Sequence, residues 1–356
     1  MARVNRYRKW THNNWPPPWR AKWRAAIREG DAFRPGGPAT KLSARTVWND
    51  ETAFGRYLEF TSARGLSEQE GGLTLDYLRQ FAQHLGQLVA PFTVLALLSQ
   101  AIAAVRLMYP AADLGAPNRA IDRFASTVRP VRNVEDRLLD PVILIAVGEA
   151  MMAEAEAQSV IDAASATLFR DGALIIAGAL FPLRTRNWRM MRIGQHLDLA
   201  TGRVTFTAHE MKRKKDFEAV LEPVLLLRIR RFVSHYRPVL LEPGAHDEGY
   251  LWPAPSGGIT HRNTLGQIVK RTLLKRTRKA FNFHCFRASA ATFISDVAPE
   301  RARMASGVLH HSRPSTTHKY YIKGRKRQAF RIYQSAVRDI IARGRRRRSR
   351  TRRTRR

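Results

Sequence analysis

Residues 181–223 read FPLRTRNWRMMRIGQHLDLATGRVTFTAHEMKRKKDFEAVLEP. Pro182 should end the apolar run before it, because proline lacks the amide hydrogen and its ring clashes with the preceding helical turn. Arg184 is thereby presented at a bend, and Trp188, Met191 and Ile193 supply a packing face just beyond it. The periodicity then changes. HLDL, a turn at ATGR, the alternating RVTFTA, a basic turn EMKRKKDF and EAVLEP together predict a β-hairpin or a three-stranded meander.

The sequence around this hairpin is helical in both directions. Upstream, PVILIAVGEAMMAEAEA and SATLFRDGALIIAGALF carry helical patterns. Downstream come VLLLRIRRFVSHY, NTLGQIVKRTLLKRT, NFHCFRASAATFISD, PERARMASGVL and the stretch from Ser315 to Ile341. The expected fold class is therefore mainly α with a small antiparallel β-sheet, and these elements make one domain over residues 139–341. A second domain is expected over 41–128. There SARTVWNDETAFGRYLEFTSARGL places Val47, Phe54, Tyr57 and Leu58 near one face and stops at Gly65, and two further segments repeat the pattern. A bundle of about four helices follows. The charged, proline-containing residues 129–138 read as a linker.

Two flanking segments differ in composition. Residues 1–40 form a basic arm in which Trp10, Trp15, Trp19 and Trp23 alternate with Arg and Lys. Those rings could stack on bases, or could cover another part of the protein. Residues 342–356 are almost entirely Arg with Ser and Thr, a composition that favours disorder and suits non-specific backbone contact or simple solubilisation.

With 62 Lys+Arg against 29 Asp+Glu, the chain carries a formal charge of +33 over its 356 residues. The body stays strongly basic without the tail, so a polyanionic partner is expected; nucleic acid is the main candidate and an anionic membrane surface the rival. Cys285 is the single cysteine, which precludes an intrachain disulfide or a thiolate cluster. No apolar run approaches the roughly 20 residues that span a bilayer, and the N-terminus lacks the apolar stretch of a secretory signal. A cytoplasmic protein of a prokaryote or mobile element fits these features.

Several motifs bear on chemistry. No Walker loop, no GxGxxG before a helix and no HExxH occurs, and the carboxylates do not cluster as a two-metal site requires. Phosphoryl chemistry would then draw its positive charge from side chains. MKRKKDFE sets Lys212 among three candidate lysines at the hairpin turn. HCFR places His284 and Arg287 three apart, adjacent on a helical face, a pairing that suits phosphate better than a metal cation. LHHSRPSTTHKYYI offers His311 and, nine residues on, Tyr320, with Arg313-Pro314 breaking the chain between them.

In order and spacing these pieces resemble the tyrosine recombinase (phage integrase) family, whose pattern runs Arg, Lys, His-x-x-Arg, His or Trp, Tyr. The resemblance covers roughly 139–337, and the helical segment before it looks like the family's core-binding domain. Carried over by motif, the catalytic set is Arg184, Lys212, His284, Arg287, His311 and Tyr320. The chain departs from the pattern at three positions. His310 stands where the family usually has Gly, Asn187 where an acidic residue often follows the first Arg, and Ala288 where His commonly follows the second. The first of these keeps Tyr321 as an alternative nucleophile.

The resemblance implies a site-specific recombinase that cuts and rejoins double-stranded DNA through a 3′-phosphotyrosyl intermediate, with no cofactor, metal ion or ATP. It implies a homo-tetramer on DNA, no membrane, and room for accessory DNA-bending proteins. A DNA-binding protein of the same fold without cleavage, and a topoisomerase-like relaxing enzyme, are the alternatives. The stripe Ile332, Val337 and Ile340 could pack within its own domain or dock on a neighbouring protomer, with the neighbour favoured.

Overall fold

The computed structural model describes residues 10–65, 73–129, 135–211, 215–297, 330 and 332–340. Within them the chain is mainly helical with one two-stranded antiparallel sheet. It divides into two units, Met1–Asn133 and Val134–Arg356.

The first unit contains α1 (Pro17–Ile27), α2 (Ala44–Ser62), α3 (Leu75–Gly86), α4 (Pro91–Met108) and α5 (Gly115–Thr127). Local chemistry sets several boundaries. The side chains of Ser43 and Thr74 accept the amides of Thr46 and Tyr77, capping α2 and α3, and Gly65 takes φ +60° after α2. The tryptophan-rich segment belongs to this unit. Trp15, Trp19 and Trp23 are spaced four apart and are at most 3% exposed. Trp15 and Trp19 meet Phe54 at 5.2 and 4.9 Å between ring centroids, and Trp19 meets Tyr109 at 5.2 Å. Of the two roles open to these rings, packing against the protein is the one observed. Gly55 permits the close approach, since a Cβ there would lie 2.1 Å from the Trp10 carbonyl.

In the second unit, α6 (Pro141–Glu156) and α7 (Ala163–Leu180) pack backbone to backbone. A Cβ on Gly148 would lie 2.7 Å from the Gly172 carbonyl, so both positions need glycine for this contact. A capping box of Asp162 and Ser165 starts α7. Contrary to the sequence expectation, α4 and α7 do have the length and apolar character of membrane-crossing helices. For α7, burial accounts for that character, as 72% of the window lies inside the unit.

After α7 come a short α8 (Thr185–Met190) and strands β1 (Arg203–Phe206) and β2 (Phe217–Val220), then α9 (Pro223–Arg231), α10 (Thr264–Thr277) and α11 (Cys285–Val297). The register pairs Arg203 with Val220 and Phe206 with Phe217. Val204, Phe206, Phe217 and Ala219 point into the core while Arg203, Glu218 and Val220 face out, the period of two expected of a half-buried hairpin. HLDL adds only an isolated bridge, Leu197 to Val204, so the hairpin does not extend to a full meander.

Residues 332–340 are helical and pack on their own unit. Phe330, Tyr333 and Val337 are buried, and the Tyr333 hydroxyl donates to the Ala179 carbonyl near the end of α7. Of the two places open to the stripe, its own unit is the one observed: Val337 is buried there and Ile340 packs against the same core.

An ion pair between a buried arginine and an exposed aspartate fixes the connection after α9. Arg237, 5% exposed, donates to both Asp247 oxygens at 2.6 Å and to the Tyr250 carbonyl. The Arg237 guanidinium holds the Asp247 carboxyl down at about 2, with the Gly249 amide assisting against partial burial. A lowered folded value means the contribution is complete above the unfolded carboxylate range and is lost as pH falls from about 4 towards 2. Asp247→Asn is expected to destabilise this unit at neutral pH and to flatten that acid limb, as read by thermal melts across pH.

Candidate active site

Arg184, His284 and Arg287 lie on described residues, whereas Lys212, His311, Tyr320 and the alternative Tyr321 lie outside them. Arg184 is half-buried in extended conformation (φ −68°, ψ 146°) at the N-terminal boundary of α8, where its carbonyl accepts the amides of Asn187 and Trp188. As the sequence suggests, Pro182 sits in the break between α7 and α8. The bend is tight, with the Leu183 amide bonded to the Phe181 carbonyl at 2.6 Å.

The HCFR motif straddles a helix start. α11 begins at Cys285, so His284 stands just before it, exposed, with its amide donating to the Asn282 side chain at 3.0 Å. Arg287, in the first turn, is 5% exposed. Its Nη1 donates to the Pro182 carbonyl at 2.9 Å, a contact between residues 105 apart in sequence. The structure thus brings the buried Arg287 against the loop that carries Arg184. Two cationic segments gathered in this way suit forked recognition of a phosphate.

Close packing holds α11 in this position. A Cβ on Gly178 of α7 would lie 2.5–2.7 Å from the Phe286 ring, one residue before Arg287. Gly178→Val is expected to cost about 1–3 kcal/mol through overpacking and to displace α11. Calorimetry would check the stability loss.

Phe330 packs on Phe181 at 4.8 Å and on Phe217 of β2 at 6.1 Å between centroids. The chain therefore returns, ten residues after Tyr320, to within three residues of Arg184 in sequence. Ten residues reach at most about 36 Å when extended.

Two contacts were not evident from sequence. The buried Asn187, which stands where an acidic residue is common in the resembled family, donates from Nδ2 to the Met211 sulfur at 3.2 Å. This ties α8 to the residue before Lys212. His196, 5% exposed, bonds Glu210 in the turn at 2.7 Å. The signal for this pair was weak, because its members sit 14 residues apart in segments read as strand and basic turn.

No protein-family model and no curated protein matches the chain. Among solved structures it is similar to one described as a crystal structure of XerA recombinase, at 14% identity over 83% of this chain and 95% of that one, with a TM-score of 0.36.

Proposed function

We propose that this protein is a tyrosine recombinase that cuts and rejoins double-stranded DNA through a covalent phosphotyrosyl intermediate. The contact of buried Arg287 with the Pro182 carbonyl carries the reading, because it unites the segments of the two arginines that the motif order requires to act together. The hairpin supports it as well, since Lys212 falls in sequence between β1 and β2.

In this mechanism the Tyr320 phenol oxygen attacks the scissile phosphorus and the bond to the 5′ oxygen breaks. Free tyrosine ionises near pH 10, so the attack needs assistance. Arg184 and Arg287 hold the non-bridging oxygens and stabilise the charge that accumulates on them. His284 takes the phenol proton, directly or by relay, Lys212 gives a proton to the departing 5′ oxygen, and His311 hydrogen-bonds the phosphate. The products are a 3′-phosphotyrosyl link and a free 5′ hydroxyl. Attack by a 5′ hydroxyl reverses the steps and restores both the phosphodiester and the tyrosine, so rejoining needs no ATP. Exchange between two duplexes takes four protomers.

The test uses a pool of nicked duplexes with a randomised central segment, incubated with the full chain in EDTA. Loss of the short fragment beyond the cleavage point traps the intermediate, and a protein–DNA adduct that survives SDS is expected. Binding with no adduct from any duplex would favour the non-cleaving DNA-binding protein. An adduct together with plasmid relaxation but no strand transfer between duplexes would favour the topoisomerase-like alternative.

A further inference from the structure

The connection between β1 and β2 is held by two titratable side chains that the mechanism above does not use, His196 outside it and Glu210 within it. His196 is buried, with its ring nearly parallel to Phe206 at 4.9 Å. Its Nδ1 faces the Arg192 amide at 3.0 Å. A backbone amide can only donate, so Nδ1 accepts, and neutral His196 carries its proton on Nε2. That proton is donated to Glu210 Oε1 at 2.7 Å.

Glu210 Oε2 in turn accepts from the Thr207 amide at 2.8 Å and the Thr207 hydroxyl at 2.9 Å. Burial alone would raise the Glu210 carboxyl, but the bonds from His196 and Thr207 outweigh it and hold the group ionised. The Glu210 and Met211 amides both return to the Thr207 carbonyl, which closes a single turn. Two further ties complete the anchorage, from the Ala208 amide to Asp216 at 2.8 Å and from Asn187 to Met211. The chain thus leaves Met211 from a fixed point, and the next residue is Lys212.

We infer that His196 and Glu210 are positioning residues for Lys212: they lock the turn that presents the lysine and do not themselves touch the DNA. The inference rests on the reading of Lys212 as the proton donor to the 5′ oxygen. A proton donor must lie within hydrogen-bond reach of the leaving atom, so loosening its base should slow the step that needs the proton.

The test uses a duplex recovered in the adduct assay, prepared with either oxygen or sulfur at the 5′ bridging position of the scissile phosphate. A thiolate leaves without a proton, so the sulfur substrate bypasses the donor. His196→Ala and Glu210→Ala are each expected to cleave the oxygen substrate about 10- to 100-fold more slowly, with DNA binding and sulfur-substrate cleavage within about threefold of wild type. Thr207→Ala, at an exposed position, removes one partner of Glu210 and should show the same selectivity at smaller size. It decides the question alone if the other variants fail to fold. Lys212→Ala is the reference. If it is oxygen-selective while the pair and Thr207→Ala slow both substrates equally or neither, the inference is overturned and the pair is structural. If Lys212→Ala itself shows no selectivity, the reading of Lys212 falls, whatever the pair does.

Discussion

A Tyr320→Phe chain is expected to bind DNA as tightly as the wild type and to form no covalent adduct with it. The substitution removes one oxygen, and in the proposed mechanism that oxygen is the atom that attacks phosphorus. Side chains one residue apart face different ways on a helix or a strand, so Tyr321 is not expected to take over the attack. Electrophoretic retention of DNA together with an SDS gel separates the two properties. Retained binding with the adduct abolished is the expected pattern. Adduct persisting in Tyr320→Phe but lost in Tyr321→Phe would move the nucleophile by one residue and leave the rest of the mechanism intact.

Arg287→Ala should lower the rate of adduct formation by about 10²–10³-fold, the range found when a preorganised donor to a developing charge is removed. Two effects combine. The phosphate loses one side of its clamp, and the Pro182 carbonyl loses the guanidinium that ties the Arg184 loop to α11. Arg287→Lys restores the charge but not the fork, so it should recover only part of the activity. Single-turnover cleavage at saturating protein isolates this step from binding, which Arg287 should affect little beside the many other cations of the chain. A loss confined to affinity, with an unchanged cleavage rate for bound DNA, would make Arg287 an ordinary backbone contact.

Much of this site can be read locally, and what cannot be is set by tertiary contact. The hairpin is legible because RVTFTA alternates with period two and the basic turn carries no competing helical pattern. The start of α11 was less so: the spacing of His284 and Arg287 suggests one helical face, but the helix begins between them, leaving His284 exposed and Arg287 buried. The tryptophans were ambiguous in composition, since aromatic rings among cations describe a nucleic-acid surface and a packed amphipathic helix equally well. Their four-residue spacing was the available clue, because it puts Trp19 and Trp23 on one face of α1, with Trp15 joining them from just before the helix. The stripe through Val337 shows a face that must be covered but not what covers it. Gly178 and the His196–Glu210 pair depend on partners far along the chain, and no local pattern announces them.

Locating the covalent bond tests the proposed chemistry at the atom where it acts. The adduct trapped in EDTA is digested with protease and nuclease, and the peptide that keeps a nucleotide is sequenced by mass spectrometry. A nucleotide joined through its 3′ phosphate to Tyr320 is expected. Attachment at a serine or at Cys285, or an adduct that forms only when Mg²⁺ is supplied, would contradict that chemistry.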